Sequence, residues 1–331
     1  MYSVVVPMYR NAEFVPLLVS EFDRIAAIVA NRFGMSMELV FVVDGRTDDA
    51  YELLQQFLPH AQFRSQIVLH ARNFGSFAAI RTGLHVARGT IFAAIAADLQ
   101  EPPELLVAFL EALAGDTCDI AVGVREGRDD PPVSRFMANL FWRFYRYLVV
   151  KDIPEGGVDL FACNTAVRSE LLRLEEAHSS LIGQLFWLGF RRREVKYRRR
   201  ARAMGKSAWT FRKKVTYLLD SVFAFTDLPI RILTFLGVVG VTIAFGLGVL
   251  VTLLRLIGDI SVPGYAATVL FITFFGALNM LGIGLIGSYV WRTYENTKRR
   301  PLAVIQQAES FNGAVSSVPS PNVVTNLAGL S

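Results

Sequence analysis

Two stretches of this chain carry no charged side chain: Ile232 to Leu254, and Ser261 to Trp291. As helices, each is long enough to cross a hydrocarbon layer of ~30 Å, and two in succession exceed ordinary core helices. They account for much of a hydrophobic content of 53% in 331 residues. Cations flank the pair. Arg212, Lys213, Lys214 and Arg231 precede the first run, and Arg292, Lys298, Arg299 and Arg300 follow the second. The link between the runs carries Arg255 against Asp259. Positive residues thus gather on the side holding both termini, which is expected to be cytoplasmic. The opening "YSVVVPMY" enters an apolar strand without a basic region or cleavage site, so no secretory signal is expected. Cys118 and Cys163 form no CxxC pair, and the histidines at 60, 70, 85 and 178 are scattered, so neither a disulfide framework nor a zinc site is indicated.

The first ~125 residues alternate strand-like and helix-like segments. "SVVVPMY", "MELVFVVD", "QIVLHARN", "IFAAIAAD" and "DIAVGVR" read as strands. Glu13–Asn31, Thr47–Phe57, Ser76–Ala87 and "PPELLVAFLEAL" read as the helices between them. Continuous apolar strands separated by helices imply an α/β fold with a parallel sheet covered on both faces. Beyond Arg125 come a polar loop, "REGRDDPP", an aromatic helix, "RFMANLFWRFYRYLV", and a second loop, "PEGGVDLF". Trp209–Leu228 reads as an amphipathic helix lying on a membrane surface. The tail after Pro301 is rich in Ser, Pro and Asn and is expected to be mobile.

Ligands of an open parallel sheet bind at the carboxyl ends of its strands. Asp44 closes the second strand in "VVDGRTDD" and Asp98 closes the fourth. No GxGxxG turn follows the first strand and no GxxxxGK[ST] occurs, which disfavours dinucleotide and P-loop sites. A nucleotide site built from acids remains, with Asp44 on a base or ribose and Asp98 holding a divalent cation against a diphosphate. Each acid also has a structural alternative. Asp44 before Gly45 can form a turn, Asp48 or Thr47 can cap the second helix, and Asp98 can cap the helix starting at Pro102 or Pro103.

In order and spacing, "VVVPMYRNAE", "VVDGRTDD", "RNFGSFAAIRTGL" and "AADLQEPPEL" resemble the family 2 glycosyltransferases of GT-A fold. "RARAMGKSAW", "FTDLPIRI" and "GSYVWRTYENTKRRP" narrow the likeness to polyprenyl-phosphate glycosyltransferases, the group that includes dolichyl-phosphate mannose synthase and bacterial enzymes charging undecaprenyl phosphate. The likeness covers roughly Tyr2 to Pro301. It implies a cytoplasmic GT-A catalytic domain over residues 1–208, an interfacial helix over 209–229, a two-helix membrane domain over 230–300 and a flexible cytoplasmic tail over 301–331. It implies a multi-pass protein of the bacterial inner membrane, in contact with the bilayer and able to form a homo-oligomer.

Carried over residue by residue, the nucleotide-sugar contacts fall on Pro7, Tyr9, Glu13, Asp44 and Asp98. An acid usual beside Asp44 is Val43 here. The metal-binding Asp-x-Asp falls on Ala96-Ala97-Asp98, so Mg²⁺ or Mn²⁺ is expected on Asp98 and Gln100 with the first acid missing. Asp98 and Asp159 take the catalytic positions, Asp159 with Leu160 and Phe161 in place of the usual neighbours. Arg199, Arg202, Lys206 and Ser207 match the acceptor-phosphate segment.

That segment lies within residues 191–214, which hold twelve Lys/Arg and one acid, Glu194. Such a run is often a solvated face or an anionic-lipid contact, and nucleic acid is not expected beside two membrane spans. Donor diphosphate and lipid phosphate are both anions, and cations must offset their repulsion; arginine's planar fork suits that task. A phosphate monoester, with its second pKa near ~6, is largely a dianion at neutral pH and needs little general-base help. The expected reaction moves a monosaccharide from a nucleotide-sugar to polyprenyl phosphate with inversion. The rivals are a processive polysaccharide synthase, whose QxxRW motif is missing, and a non-catalytic membrane scaffold in which Ala96 marks a degenerate site.

Overall fold

A computed structural model of the chain describes residues 1–126, 143, 146, 153–154, 157–177, 179–200, 211–257 and 264–313. The aromatic helix expected at 135–149 lies outside these except for Arg143 and Arg146.

The strands are β1 (Tyr2–Met8), β2 (Met37–Val43), β3 (Arg64–His70), β4 (Ile91–Ala94), β5 (Ile120–Arg125), β6 (Val158–Asn164), β7 (Arg192–Tyr197) and β8 (Ile305–Phe311). They form one sheet in the order β7-β5-β6-β4-β1-β2-β3-β8. β1 pairs in parallel with β2 and β4, β2 with β3, and β5 with β7. β6 runs antiparallel between β4 and β5, and β8 runs antiparallel along β3. The sheet is therefore mixed, and its parallel half is the part expected from the sequence.

Side chains alternate between two packed layers, as a pleated strand requires. Val4 and Val6 of β1, with Leu39 and Phe41 of β2, face the layer of α1 (Val15–Phe33), α2 (Ala50–Phe57) and α4 (Leu105–Ala114). Val5, Val40 and Val42 face the opposite layer, which holds α3 (Ser76–Val86), α5 (Thr165–Arg173) and α6 (Leu181–Trp187). α3 lies so close to β1 that a Cβ on Gly83 would come within 2.2 Å of Val5 Cγ1. β4 and β2 are buried on both faces, which explains their unbroken apolar runs.

Three strands differ from the sequence reading. β6 falls where a loop was expected at "PEGGVDLF". β7 emerges from the basic segment; as an edge strand it carries charges that mask its alternation. β8 occupies the start of the tail expected to be mobile, which corrects that reading over residues 305–311. Its backbone completes the edge of β3, and Glu309 accepts hydrogen bonds from Tyr51 Oη at 2.5 Å and Gln55 Nε2 at 2.9 Å.

After β7 the chain enters α7 (Phe211–Phe225), then α8 (Leu228–Ile257) and α9 (Tyr265–Thr297). Leu228–Leu250 and Phe274–Thr297 are long and apolar enough to cross a membrane. Large apolar side chains along both are exposed, among them Val241, Phe245, Ile272 and Met280. α7 is tied to the end of α9 by an Asp220–Arg292 ion pair of 2.6 Å and by the edge-on rings of Phe223 and Tyr289. It is tied to the sheet layer where the Phe225 ring lies over Gly183 of α6.

Candidate active site

Parallel pairing brings the carboxyl ends of β1, β2, β3 and β4 to one edge, and β7 ends there beside β5. β6 is antiparallel, with Ala94 opposite Phe161, so its first residues reach the same edge. The backbone of Asp159 is thereby brought beside the loop that leaves β4.

The loop after β1 holds Tyr9, half-buried, and Arg10, whose φ of 55° is left-handed. Pro7 is half-buried within β1, and Glu13 is exposed in a single turn at 12–14. Asp48 Oδ2 accepts from Ala12 N at 2.8 Å and binds this loop to the one after β2. Neither Asp48 nor Thr47 caps α2, whose N-cap is Asp49 without a side-chain hydrogen bond.

Asp44 is 2% exposed. Its carboxylate accepts from His70 Nδ1 at 2.9 Å, Phe74 N at 2.8 Å and Gly75 N at 2.8 Å. His70 Nε2 lies 3.0 Å from Thr82 Oγ1, so the ring is fixed at both nitrogens. A buried carboxylate with three donors is satisfied. Asp44 shapes the loop Arg72–Gly75 at the edge, a role that the reading of it as a base or ribose contact did not include. Gly45 permits the close approach: its φ is 84°, and a Cβ there would stand 2.8 Å from Asn73 N. His70 stands in no motif that marks it in the sequence. The signal for it is the register, since Val43 pairs with Leu69 and the next residues are Asp44 and His70.

Asp98 lies beyond the end of β4, in a loop where Leu99 is left-handed with φ 50°. A non-glycine residue held there costs about 1–3 kcal/mol, and such strain clusters at functional sites. Asp98 is 8% exposed and its Oδ1 accepts weakly from Gln100 N at 3.4 Å, while Ala96 and Gln100, two residues away on either side, are half-buried. α4 begins at Glu104 as N-cap without side-chain capping, so Asp98 does not cap it.

The basic strand end meets this loop. Arg199 Nη2 donates to Gln100 Oε1 at 2.6 Å, and Arg200 N donates to Gln100 O at 2.7 Å. Arg199 Nε comes within 3.2 Å of Glu101 Oε1, close enough for an ion pair but without hydrogen-bond alignment. Glu101 is 2% exposed and was not singled out from the sequence. Glu104 lies between Arg24 and Arg200; burial pushes its carboxyl up, but its backbone hydrogen bond and Arg24 outweigh this and hold it below the usual range. Arg202, Lys206 and Ser207, and the side chain of Asp159, lie outside the described residues.

The donor set is short for a resident divalent ion. Among the described residues no three His, Cys, Asp or Glu side chains form a metal-holding group. Ala96 offers no ligand, and the Gln100 oxygen already accepts from Arg199.

The mixed α/β sheet, with acids and arginines at its carboxyl edge, fits the GT-A glycosyltransferase fold that the sequence resembles, and two apolar helices follow it. The model of the glycosyl transferase family 2 matches residues 3–174, and the chain belongs to that family. It is 29% identical over 311 residues to a prophage bactoprenol glucosyl transferase homolog of Escherichia coli, covering 93% of this chain and 99% of that one. It is 30% identical over 312 residues to an undecaprenyl-phosphate 4-deoxy-4-formamido-L-arabinose transferase of Salmonella paratyphi B, covering 92% of each. Among solved structures, glucosyl-3-phosphoglycerate synthase from Mycobacterium tuberculosis with Mn²⁺, UDP-glucose and phosphoglyceric acid aligns over 68% of this chain and 77% of that one, at TM-score 0.45 and 14% identity.

Proposed function

We propose that this glycosyltransferase moves a monosaccharide from a nucleotide-sugar to a polyprenyl phosphate, undecaprenyl phosphate in the first instance. The observation that carries the reading is the junction of the Asp98–Glu101 loop with the basic strand end at Arg199–Arg200. It joins an acid-and-amide loop suited to a donor to the strand end from which the basic segment suited to an acceptor anion continues in sequence. The two relatives named above act, by their names, on bactoprenol and undecaprenyl phosphate.

In this reading an oxygen of the lipid phosphate attacks the anomeric carbon. The new C–O bond forms as the bond to the diphosphate breaks, and the bonding pair leaves with the nucleoside diphosphate. The displacement is single-step and inverts the anomeric centre. Because the acceptor is already a dianion, the protein's work is to position both substrates and to stabilise the departing charge. Pro7, Tyr9 and Glu13 border the donor, with Asp44 acting through the Arg72–Gly75 loop. Asp98 faces the diphosphate and Asp159 orients the acceptor. Arg202, Lys206 and Ser207 hold the lipid phosphate. A divalent ion carried in by the donor would be held chiefly by the diphosphate oxygens, with Asp98 as the protein carboxylate beside it and Gln100 available only if released from Arg199, and would offset charge on the leaving diphosphate.

α8 and α9 cross the plasma membrane of a bacterium as a multi-pass anchor with both flanks cytoplasmic, and α7 lies in the interface. This keeps the site at the height of a head group confined to the bilayer. A homo-oligomer is compatible with the arrangement. Incubating the purified chain with labelled nucleotide-sugars and undecaprenyl phosphate tests the reading through a lipid-extractable labelled product. No product with any donor or cation would favour a scaffold.

A further inference from the structure

The likeness to polyprenyl-phosphate enzymes puts Arg199 with the residues that grip the acceptor phosphate. Its surroundings point elsewhere. Glu101 is a carboxylate at 2% exposure, and a buried charge is tolerated only when paired. Arg199 supplies the opposite charge at 3.2 Å. The same guanidinium reaches past Glu101 to the side-chain oxygen of Gln100 at 2.6 Å, while the next residue's N–H holds the Gln100 carbonyl at 2.7 Å. Gln100 is therefore held at main chain and side chain by consecutive residues that follow β7. It stands two residues beyond Asp98 in a loop that carries a left-handed leucine. A loop with such a backbone keeps its shape only when its surroundings over-determine it.

We propose that Arg199 is a positioning residue of the donor site: paired with Glu101, it fixes the Asp98–Gln100 loop that meets the diphosphate, and it does not ligate the acceptor phosphate. The inference rests on the transferase reading above. It also explains why arginine stands here. Lysine can neutralise Glu101, but its single ammonium offers a point charge, whereas the guanidinium sets Nε against Glu101 and donates from Nη2 to Gln100.

The full-length chain in nanodiscs tests this with Arg199→Ala, Arg199→Lys, Gln100→Ala and the Arg199→Ala/Gln100→Ala pair. Two readouts apply: apparent KM for each substrate, and calorimetric binding of UDP and GDP without acceptor. Arg199→Ala should raise the donor KM and weaken nucleotide binding by about tenfold or more, leaving the acceptor KM within about twofold. Arg199→Lys should recover the melting temperature but not the donor KM. The double variant should be little worse than either single one, because the two residues act as a unit. A rise confined to the acceptor KM returns Arg199 to the lipid phosphate and overturns the proposal. Full rescue of donor KM by lysine reduces Arg199 to a charge partner and overturns it as well. If Arg199→Ala does not fold, Arg199→Lys and Gln100→Ala still decide through nucleotide binding. Absence of lipid-linked product from the wild type refutes the transferase reading, whereas nucleotide binding judges the positioning role on its own.

Discussion

Asp44 and Asp98 occupy comparable places at one sheet edge, yet the fold treats them differently. Asp44 is enclosed by His70 and two backbone N–H groups, whereas Asp98, also buried, sits in a strained loop beside the left-handed Leu99. Sequence position located both acids at the carboxyl edge, because a parallel sheet sends its strand ends there. It did not distinguish them, because the partners come from residues 26 to 31 positions away for Asp44 and from the far end of the sheet for Gln100. Ala96 was legible as a missing ligand, and its consequence is local. Mn²⁺ alone should bind the wild-type chain weakly by electron paramagnetic resonance, and Ala96→Asp should raise that affinity about tenfold or more by restoring a second carboxylate. Unchanged binding in Ala96→Asp would place the cation site away from this loop.

At the scale of elements, the parallel half of the sheet was readable because β1 to β5 alternate with helices and carry continuous apolar runs. β6 and β7 were not, since one follows a Gly-Gly loop and the other is a charged edge. What fixes them is a polar corner. Asp119 accepts from Arg191 Nε at 2.9 Å and Asn164 Nδ2 at 3.0 Å, joining the starts of β5 and β7 to the end of β6. Asn164 in turn caps α5 by accepting from Val167 N at 3.0 Å. Asp119→Ala should lower stability by about 1–3 kcal/mol in denaturant titration. Hydrogen bonds from Arg191 hold the Asp119 carboxyl below its ordinary value. Its folded pKa is therefore the lower one, and its contribution is complete above the ordinary aspartate range. That contribution fades as pH falls through the folded value. The gap in melting temperature between wild type and Asp119→Asn should narrow in acid; a gap that widens would contradict the pair's role.

Across the whole molecule, the apolar hairpin is tied to the α/β unit on both sides, through α7 before it and β8 after it. The hairpin was plain in the sequence from its missing charges. The return of the chain as β8 was not, because "IQQAESF" is polar and its partner β3 lies over 230 positions earlier. Backbone pairing with β3 extends to Ala71 N, which donates to Val304 O at 2.9 Å just before the Arg72–Gly75 loop. Truncation after Pro301 should expose the β3 edge and lower the melting temperature. Glu309→Ala should reproduce a smaller part, about 1 kcal/mol, by removing the acceptor of Tyr51 and Gln55. Equal stability of the truncated and full chains would mean that β8 contributes nothing to the sheet.

The reaction proposed requires the Asp98 loop to meet a sugar donor opposite a lipid phosphate. Its most direct test compares wild type with Asp98→Ala in the rate of label transfer from nucleotide-sugar to undecaprenyl phosphate. The wild type should yield a labelled lipid, and Asp98→Ala a rate at least about a hundredfold lower with folding intact. Equal rates, or a wild type that leaves the lipid unlabelled with every donor, would contradict it.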